Sequence, residues 1–431
     1  MGFVRVRLVP ADMMISPLRS VDGIRQHQLG ALQAGLSTVR KTNAFYRDRL
    51  HDVTSWNDFE RLPFTTKADL MLDQRDHPPY GTNLTFSLEQ YVRLHQTSGT
   101  SGSQPLRWLD TAESWAWWER IWADLIYAPA GVTQNDRIFF AFSFGPFIGF
   151  WSAFGGSQRL GAMAIPGGAM TTTQRVHLMS DLQATVLCCT PTYALRLAEV
   201  ATSEGIALRL RRTIHAGEPG ASIPSTRAAI ESALGGQAYD HTGMTELGPT
   251  GVSCSQRDGV HLFESEFIFE IIDGELVATN LGRWGSPLIR YRTGDQVEVV
   301  RAPCSCGSPF MKIVGGIRGR VDDMVTIRGV NVYPSQVEDI VRRHPTVVEF
   351  VIECRTHRHM DEATVVIELT DGSASDDVCR TIAEQLRTTL GVRIECRAVP
   401  TGTLPRPELK AKRLIRVNSP FPAGGGGSAS G

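Results

Sequence analysis

At roughly 150 residues per domain, a chain of 431 residues predicts two or three domains around a large buried core and excludes a small stapled scaffold or a lone binding module. Lys and Arg number 44 against 45 Asp and Glu, a formal charge of -1, so no global field favours nucleic acid or an anionic membrane. Hydrophobic residues at 42% and charged residues at 21% exclude a disordered or fibrous chain, and the 41 glycines point to backbone that turns tightly or approaches a ligand.

The start of the chain carries no apolar run of signal-peptide length, and Val6 stands where myristoylation wants Ser or Thr. A cytoplasmic location is the expectation. Tyr91 to Leu94 reads as a strand running into Thr97-Ser98-Gly99-Thr100-Ser101-Gly102-Ser103. Such a loop directs amides and hydroxyls toward one point, as a phosphate chain requires, but no Gly-Lys-Ser/Thr follows to make it a Walker A loop. Asp110 followed by Glu113 reads as a helix start, with Trp115, Trp118, Trp122, Leu125 and Ile126 on one stripe. Five of the eight tryptophans lie between Trp108 and Trp122, which predicts a helix packed on the core. Ile138 to Gln158 is uncharged over 21 residues, long enough to span a bilayer. Its glycines (145, 149, 155 and 156) and Pro146 favour an aromatic-lined core or pocket segment instead.

Cys188 and Cys189 read as buried strand thiols, and eight cysteines in a long cytoplasmic-type chain argue against a disulfide framework. Ile223-Pro224-Ser225 opens a helix that Gly235-Gly236 closes. Tyr239-Asp240-His241-Thr242-Gly243-Met244-Thr245-Glu246 sets a hydroxyl and a carboxylate beside a glycine, where Glu246 suits Mg²⁺. Strands are expected at 267–272, 275–279 and 296–300, and Asp295 ends Ile289 to Asp295 with a carboxylate suited to both hydroxyls of a ribose. After 319–323 the pattern becomes compact: a helix at 335–343, strands at 350–353 and 364–368, and a helix at 375–390 ended by Gly391. The fold class is therefore α/β, with a large N-terminal body over 1–321 and a small C-terminal α+β cap over 322–417. The glycine-rich tail 418–431 resembles an artificial linker.

These signals occur together in one order, and the chain resembles the adenylate-forming superfamily in its phenylacetate-CoA ligase-like branch. The matching segments run from Leu62-Pro63-Phe64-Thr65-Thr66-Lys67 through the 97–105 loop, Thr190 to Leu195, Ala216-Gly217-Glu218-Pro219 and Gly243-Met244-Thr245-Glu246. They continue through Tyr291 to Asp295, Gly319-Arg320-Val321-Asp322-Asp323-Met324, Arg328 to Gln336, and Gly402-Thr403-Leu404-Pro405-Arg406. The resemblance implies that a carboxylate and ATP form an acyl-adenylate, from which CoA displaces AMP. By carry-over Ser98, Gly99, Thr100, Ser101 and Gly102 hold the β- and γ-phosphates, Thr245 the α-phosphate, Glu246 Mg²⁺ and Asp295 the ribose. Arg320 joins the nucleotide-binding set, Ala216 to Pro219 line the adenine and acyl pocket, Asp322 is the pivot of the cap, and Lys410 bridges carboxylate and α-phosphate.

Three departures stand out. Ser103-Gln104-Pro105 replaces the usual Lys-Pro of the phosphate loop, shifting weight to amides and Arg107. Thr242 stands where an aromatic residue commonly stacks on adenine, leaving Tyr239, His241 or another side chain to substitute, with Asp240 between them. Glu408-Leu409 precedes Lys410 in place of glycine. Cys254, His261, Cys304 and Cys306 make a closed three-sulfur, one-nitrogen set for a structural Zn²⁺, similar to one in some members of this branch. The aromatic segment Phe139 to Phe147 points to a small aromatic or arylacetic acid, with ATP, Mg²⁺ and CoA as cofactors. Transfer to a carrier-protein phosphopantetheine or an amine, and a degenerate non-catalytic homologue, are the alternatives. A homodimer is expected from the habit of the family, and neither nucleic acid nor membrane is expected as a partner.

Overall fold

The computed structural model describes residues 20–97, 105–320, 324–327, 330–357, 360–370, 375–407 and 411–417. The tail 418–431 therefore lies outside the described residues. The described chain divides into a large unit up to residue 320 and a smaller one built from 324–406 and 411–417.

In the large unit, β1 (Tyr91–Gln96) and β2 (Arg107–Thr111) form an antiparallel hairpin that pairs His95 with Trp108. Next come β3 (Arg137–Phe140), β4 (Met163–Pro166), β5 (Val186–Cys189), β6 (Arg212–His215) and β7 (Gln237–Met244), parallel and adjacent in the order β7-β6-β5-β3-β4. Helices at Trp151–Leu160, Thr172–Asp181, Pro191–Ser203 and Pro224–Leu234 connect them. This is the α/β architecture the alternating pattern predicts. Phe139, Leu187 and Cys189 face one apolar cluster while Ile138, Phe140, Val186 and Cys188 face the other, as the two-residue period of a strand requires. Cys188 and Cys189 are fully buried free thiols.

The antiparallel strands β8 (Gly248–Val252) and β9 (Gly259–Leu262) extend this sheet from β7. A separate sheet takes β10 (Phe267–Ile272), β11 (Glu275–Asn280) and β12 (Tyr291–Gln296), while β13 (Val299–Val300) and β14 (Lys312–Val314) return to the edge at β9. β15 (Gly319–Arg320) closes the second sheet on β12, setting Arg320 opposite Asp295. The run expected as one strand at 296–300 is split, because the Val297 amide turns to the Gly274 carbonyl.

Thr111, not Asp110, caps the tryptophan helix Ala112–Arg120 by accepting from the Ser114 amide. That leaves Asp110 for another role. Trp115, Trp118, Trp122 and Ile126 are buried, and the last two belong to a π-helical turn at Ile121–Tyr127. The uncharged stretch 138–158 resolves into β3, an aromatic loop and the start of the helix Trp151–Leu160. No described helix is long and apolar enough to cross a membrane.

In the small unit, β16 (Val325–Ile327), β17 (Val330–Val332), β18 (Val347–His357), β19 (Met360–Leu369), β20 (Glu395–Val399) and β21 (Leu414–Arg416) form one mixed sheet. Helices Pro334–Val341 and Ser375–Leu390 bury Val337, Ile340, Ile382 and Leu386 against Phe350, Ile352, Val365 and Ile367. Gly391, at φ 71°, ends the second helix.

Candidate functional site

The carboxyl ends of β3, β5, β6 and β7 share one edge of the sheet, where an open α/β sheet takes its ligands. That edge gathers the aromatic loop after Phe140, the turn Thr190-Pro191-Thr192, the loop Ala216-Gly217-Glu218-Pro219, and Thr245-Glu246. The stem of the 98–104 loop is tied to it, because the Gln96 amide donates to the Pro146 carbonyl at 2.8 Å. Thr97 closes the stem: its amide donates to the Leu106 carbonyl and its hydroxyl accepts from the Leu106 amide at 3.0 Å. Ser98, Gly99, Thr100, Ser101 and Gly102 lie outside the described residues, as do Asp322 and Lys410.

Thr245 and Glu246 follow β7 and are buried. Their main chain is gripped by a residue the sequence reading passed over. Arg283 Nη1 donates to the Thr245 and Glu246 carbonyls at 2.8 Å each, while Nε and Nη2 donate to Asp110 Oδ1 and Oδ2 at 2.7 and 2.8 Å. Both side chains of this ion pair are 0% exposed. Among the described residues the Glu246 carboxylate forms no ion pair, so it remains an oxygen donor suited to a hard cation.

Across from this turn, the charges of Glu246, Asp295 and Arg320 all act on Tyr291. Burial first, and then the Glu246 charge, raise the Tyr291 phenol far above its ordinary value. Asp295 is buried and Arg320 exposed. Gly294, within β12, takes φ 78°, and a Cβ there would lie 3.5 Å from Arg320 Nη2. The Thr65 segment is stitched onto this strand: the Thr65 amide donates to the Arg290 carbonyl at 3.0 Å and the Arg292 amide to the Thr65 carbonyl at 2.9 Å.

The adenine-side expectations divide. Asp240 accepts from the Ser222 amide at 3.0 Å, and its own amide takes the Ser253 hydroxyl at 2.9 Å. Burial pushes its carboxyl up to about 6. Tyr239 and His241 are buried on the opposite face of β7, Tyr239 in the main core cluster and His241 edge-on to Trp122 at 4.6 Å, with Nδ1 at 2.9 Å from the Gly251 carbonyl. Neither ring is presented on the face that carries Thr242. Thr242 itself accepts from the Thr250 hydroxyl at 3.0 Å. Ala216 and Gly217 follow β6, and Glu218 turns its carboxylate to the Thr192 amide at 2.9 Å, serving a helix N-terminus. Arg107 Nη1 donates to the Pro79 carbonyl at 2.8 Å.

Cys254, His261, Cys304 and Cys306 converge, with all four ligand atoms within 4.8 Å of one another. The Cys254 and Cys304 sulfurs are 3.8 Å apart, and Cys306 Sγ lies 3.5 Å from His261 Nε2. A tetrahedron with Zn–S near ~2.3 Å and Zn–N near ~2.0 Å has edges of about those lengths. His261 Nδ1 sits 3.1 Å from the Phe310 carbonyl, which fixes the tautomer that leaves Nε2 for a metal.

In the small unit, the loop leading to residue 410 is held by Glu368, another residue the sequence reading missed. Its side chain is 0% exposed and accepts from the Gly402 amide at 2.8 Å, the Leu404 amide at 2.9 Å and both terminal nitrogens of Arg406. No local motif marks either Arg283 or Glu368, because each partner set lies tens of residues or more away.

The model for the AMP-binding enzyme C-terminal domain matches residues 329–416. The chain is 34% identical over 424 residues to a phenylacetate-coenzyme A ligase of Pseudomonas putida, covering 91% of this chain and 94% of that protein. It is 31% identical over 433 residues to the phenylacetate-coenzyme A ligase of Escherichia coli strain K12, covering 93% and 96%. Among solved structures, 2-hydroxyisobutyryl-CoA ligase in its postadenylation state, in complex with R3-HIB-AMP, matches with a TM-score of 0.86 at 28% identity over 92% of this chain and 89% of that one.

Burial alone would raise the Glu368 carboxyl, but Arg406 and the two amides outweigh it and bring it from an ordinary 4.5 down to about 2. A carboxylate with a lowered folded-state pKa stabilises fully above its unfolded value, and that contribution is lost as the pH falls between those two values. Glu368→Gln is expected to lower the urea midpoint of the small unit at pH 6 and to leave a smaller drop between pH 5 and pH 3 than wild type shows. Parallel pH profiles for the two proteins would contradict this.

Proposed function

Because this chain belongs to the phenylacetate-CoA ligase family of AMP-forming acid-CoA ligases, we propose that its acid is an aromatic or arylacetic one. The enzyme joins ATP and a carboxylate into an acyl-adenylate with release of pyrophosphate, and the CoA thiol then displaces AMP to leave a thioester. The observation that supports the substrate class is the aromatic loop after β3. Phe142 and Phe144 have ring centroids 4.0 Å apart, and Trp151 and Phe154 stand edge-on to Phe144 at 4.9 and 5.5 Å. Flat apolar walls beside the phosphate-loop stem suit a planar acid whose carboxylate must meet ATP.

The chemical difficulty of the first step is charge, since an anionic carboxylate approaches an α-phosphate while pyrophosphate departs. In our assignment Ser98 to Gly102 present amides and hydroxyls to the β- and γ-phosphates, and Thr245 donates to the α-phosphate. Asp295 accepts from the ribose hydroxyls, Arg320 lies beside the phosphates, and Asp240 with Ala216 to Pro219 lines the adenine side. Glu246 is the ligand for Mg²⁺, which when bound neutralises phosphate-oxygen charge. Lys410 bridges carboxylate and α-phosphate, and Asp322 is the pivot by which the small unit exchanges its adenylating face for a thioester-forming one. The three sulfurs and His261 Nε2 hold a structural Zn²⁺ that ties the loop after β8 to the 304–306 turn. The set of free thiols fits a reducing, cytoplasmic location.

Acid-dependent pyrophosphate exchange, run over benzoic, phenylacetic, heteroaromatic and amino-aromatic acids and 2-hydroxyisobutyrate, tests the substrate class. Exchange is expected with an aromatic or arylacetic acid and thioester only when CoA is added. Preference for the aliphatic acid overturns the substrate class, and exchange without CoA consumption favours a carrier-protein or amine acceptor. Lys410→Ala is expected to lose exchange by at least about 100-fold while retaining most thioester formation from a supplied acyl-adenylate. Equal loss of both half-reactions would exclude domain alternation around that lysine. Zinc quantified by mass spectrometry is expected near one equivalent in the wild type and well below that in Cys304→Ser. Unchanged zinc content in that variant removes the metal assignment.

A further inference from the structure

We propose that Arg283 and Asp110 are positioning residues for Mg·ATP: the pair fixes the Thr245–Glu246 main chain against the exit strand of the phosphate loop and keeps the Glu246 carboxylate open to a cation. This rests on the assignment of Glu246 to Mg²⁺ and Thr245 to the α-phosphate.

Asp110 lies on β2, the strand by which the chain leaves the 98–104 loop, and Thr245 and Glu246 follow β7. One guanidinium joins the two. Its planar fork spends two nitrogens on Asp110 and the third on both carbonyls, so neither segment can shift without breaking a charge-assisted hydrogen bond. Its carbon also lies 4.8 Å from the Trp118 ring centroid and 5.3 Å from that of Trp108. Trp118 stacks on Trp115 at 6.0 Å, and Trp115 on His95 at 5.2 Å. His95 and Trp108 are partners on the two stem strands of the phosphate loop. A continuous column therefore runs from that stem to the arginine.

The segment carrying Arg283 has no room to move. A Cβ at Gly282 would lie 2.2 Å from Trp117 Nε1, one at Gly285 would lie 3.0 Å from Thr111 Cγ2, and Gly35 makes way for the Trp284 ring in the same manner. Such packing holds the guanidinium in place before any ligand binds.

Electrostatics gives Asp110 a distinct part. A buried arginine beside Glu246 would draw that carboxylate into an ion pair and close it to a cation. Asp110 takes up the charge, so Arg283 reaches Glu246 only through its main-chain oxygen. Loss of Asp110 should thus appear as competition between Arg283 and Mg²⁺ for Glu246, a readout that a purely structural ion pair would not move.

The test compares wild type, Asp110→Asn and Arg283→Lys by near-UV circular dichroism, by calorimetric binding of Mg·ATP at graded Mg²⁺ without acid, and by pyrophosphate exchange. In Asp110→Asn the Mg²⁺ concentration for half-maximal binding and exchange is expected to rise about tenfold, with excess Mg²⁺ restoring most of the rate and the KM for the acid little changed. Arg283→Lys, which cannot span Asp110 and both carbonyls, is expected to lose about 100-fold in kcat without rescue by Mg²⁺. A folded Asp110→Asn protein with wild-type Mg²⁺ dependence overturns the proposal. So does loss of the native spectrum in both variants, which would make the pair a fold element alone. Wild-type protein that binds Mg·ATP but exchanges with no acid in the panel removes the functional reading and leaves the positioning role to be decided by the binding arm.

Discussion

A buried arginine is tolerated when its charge is neutralised and each of its nitrogens is hydrogen-bonded, and the large unit is organised around one residue that meets this demand. Arg283 takes Asp110 for its charge and the Thr245 and Glu246 carbonyls for its remaining donor. Removing one partner of such a pair typically costs ~3–5 kcal/mol, because the other is left as an uncompensated charge. The contacts therefore form or fail together. Their joint formation defines the relation between the β1–β2 hairpin and the end of β7, two segments more than a hundred residues apart in the chain.

The same device recurs wherever an irregular segment must be held. Arg290 pairs with Glu270 and donates to the Glu60 and Leu62 carbonyls at 2.5 and 2.6 Å, anchoring the Thr65 segment from a left-handed backbone at φ 48°. Glu368 inverts it, pairing with Arg406 and accepting from two loop amides. In the small unit Arg413 combines Glu349 with the Phe350 carbonyl at 2.9 Å. Loops lack the repeating hydrogen bonds of helix and sheet, so their main-chain groups need partners from side chains. A charged side chain that is itself locked in an ion pair supplies such a partner with little remaining freedom. Sheets carry the loops, and buried ion pairs set their shape.

This division explains what could be read in advance. Local patterning showed the α/β class, the helix Pro224–Leu234 with its Gly235 stop, and the helix Ser375–Leu390, because periodicity and turn chemistry specify such elements. The ordered motifs singled out Thr245, Glu246, Asp295 and the Cys/His set as candidates, since the chemistry proposed for them is carried by residue type at short spacing. Arg283 and Asp110 stayed hidden, being 173 positions apart. Asp110 even read as a helix cap, a role that Thr111 takes. Tyr239 and His241 show a different limit. Their chemistry suits adenine, yet the alternation of β7 turns both toward the cluster that holds Trp122, and only register against the sheet reveals that.

Charge supplies the last constraint. The protein has a net charge of -1, so attraction for a polyphosphate must be local. Near the described site, however, the arginines are already committed: Arg283 to Asp110, Arg290 to Glu270 and Arg292 to Glu275. Arg320, exposed at the end of β15 and opposite Asp295, forms no ion pair among the described residues. A site built this way keeps its structural cations and its ligand-facing cations separate. The buried arginines are neutralised in place and shape the loops whether or not nucleotide is bound. In our assignment the attraction for phosphate is left to Arg320, to a metal held by Glu246, and to Lys410. In the same assignment these groups together supply the charge that lysine usually brings where Ser103 stands.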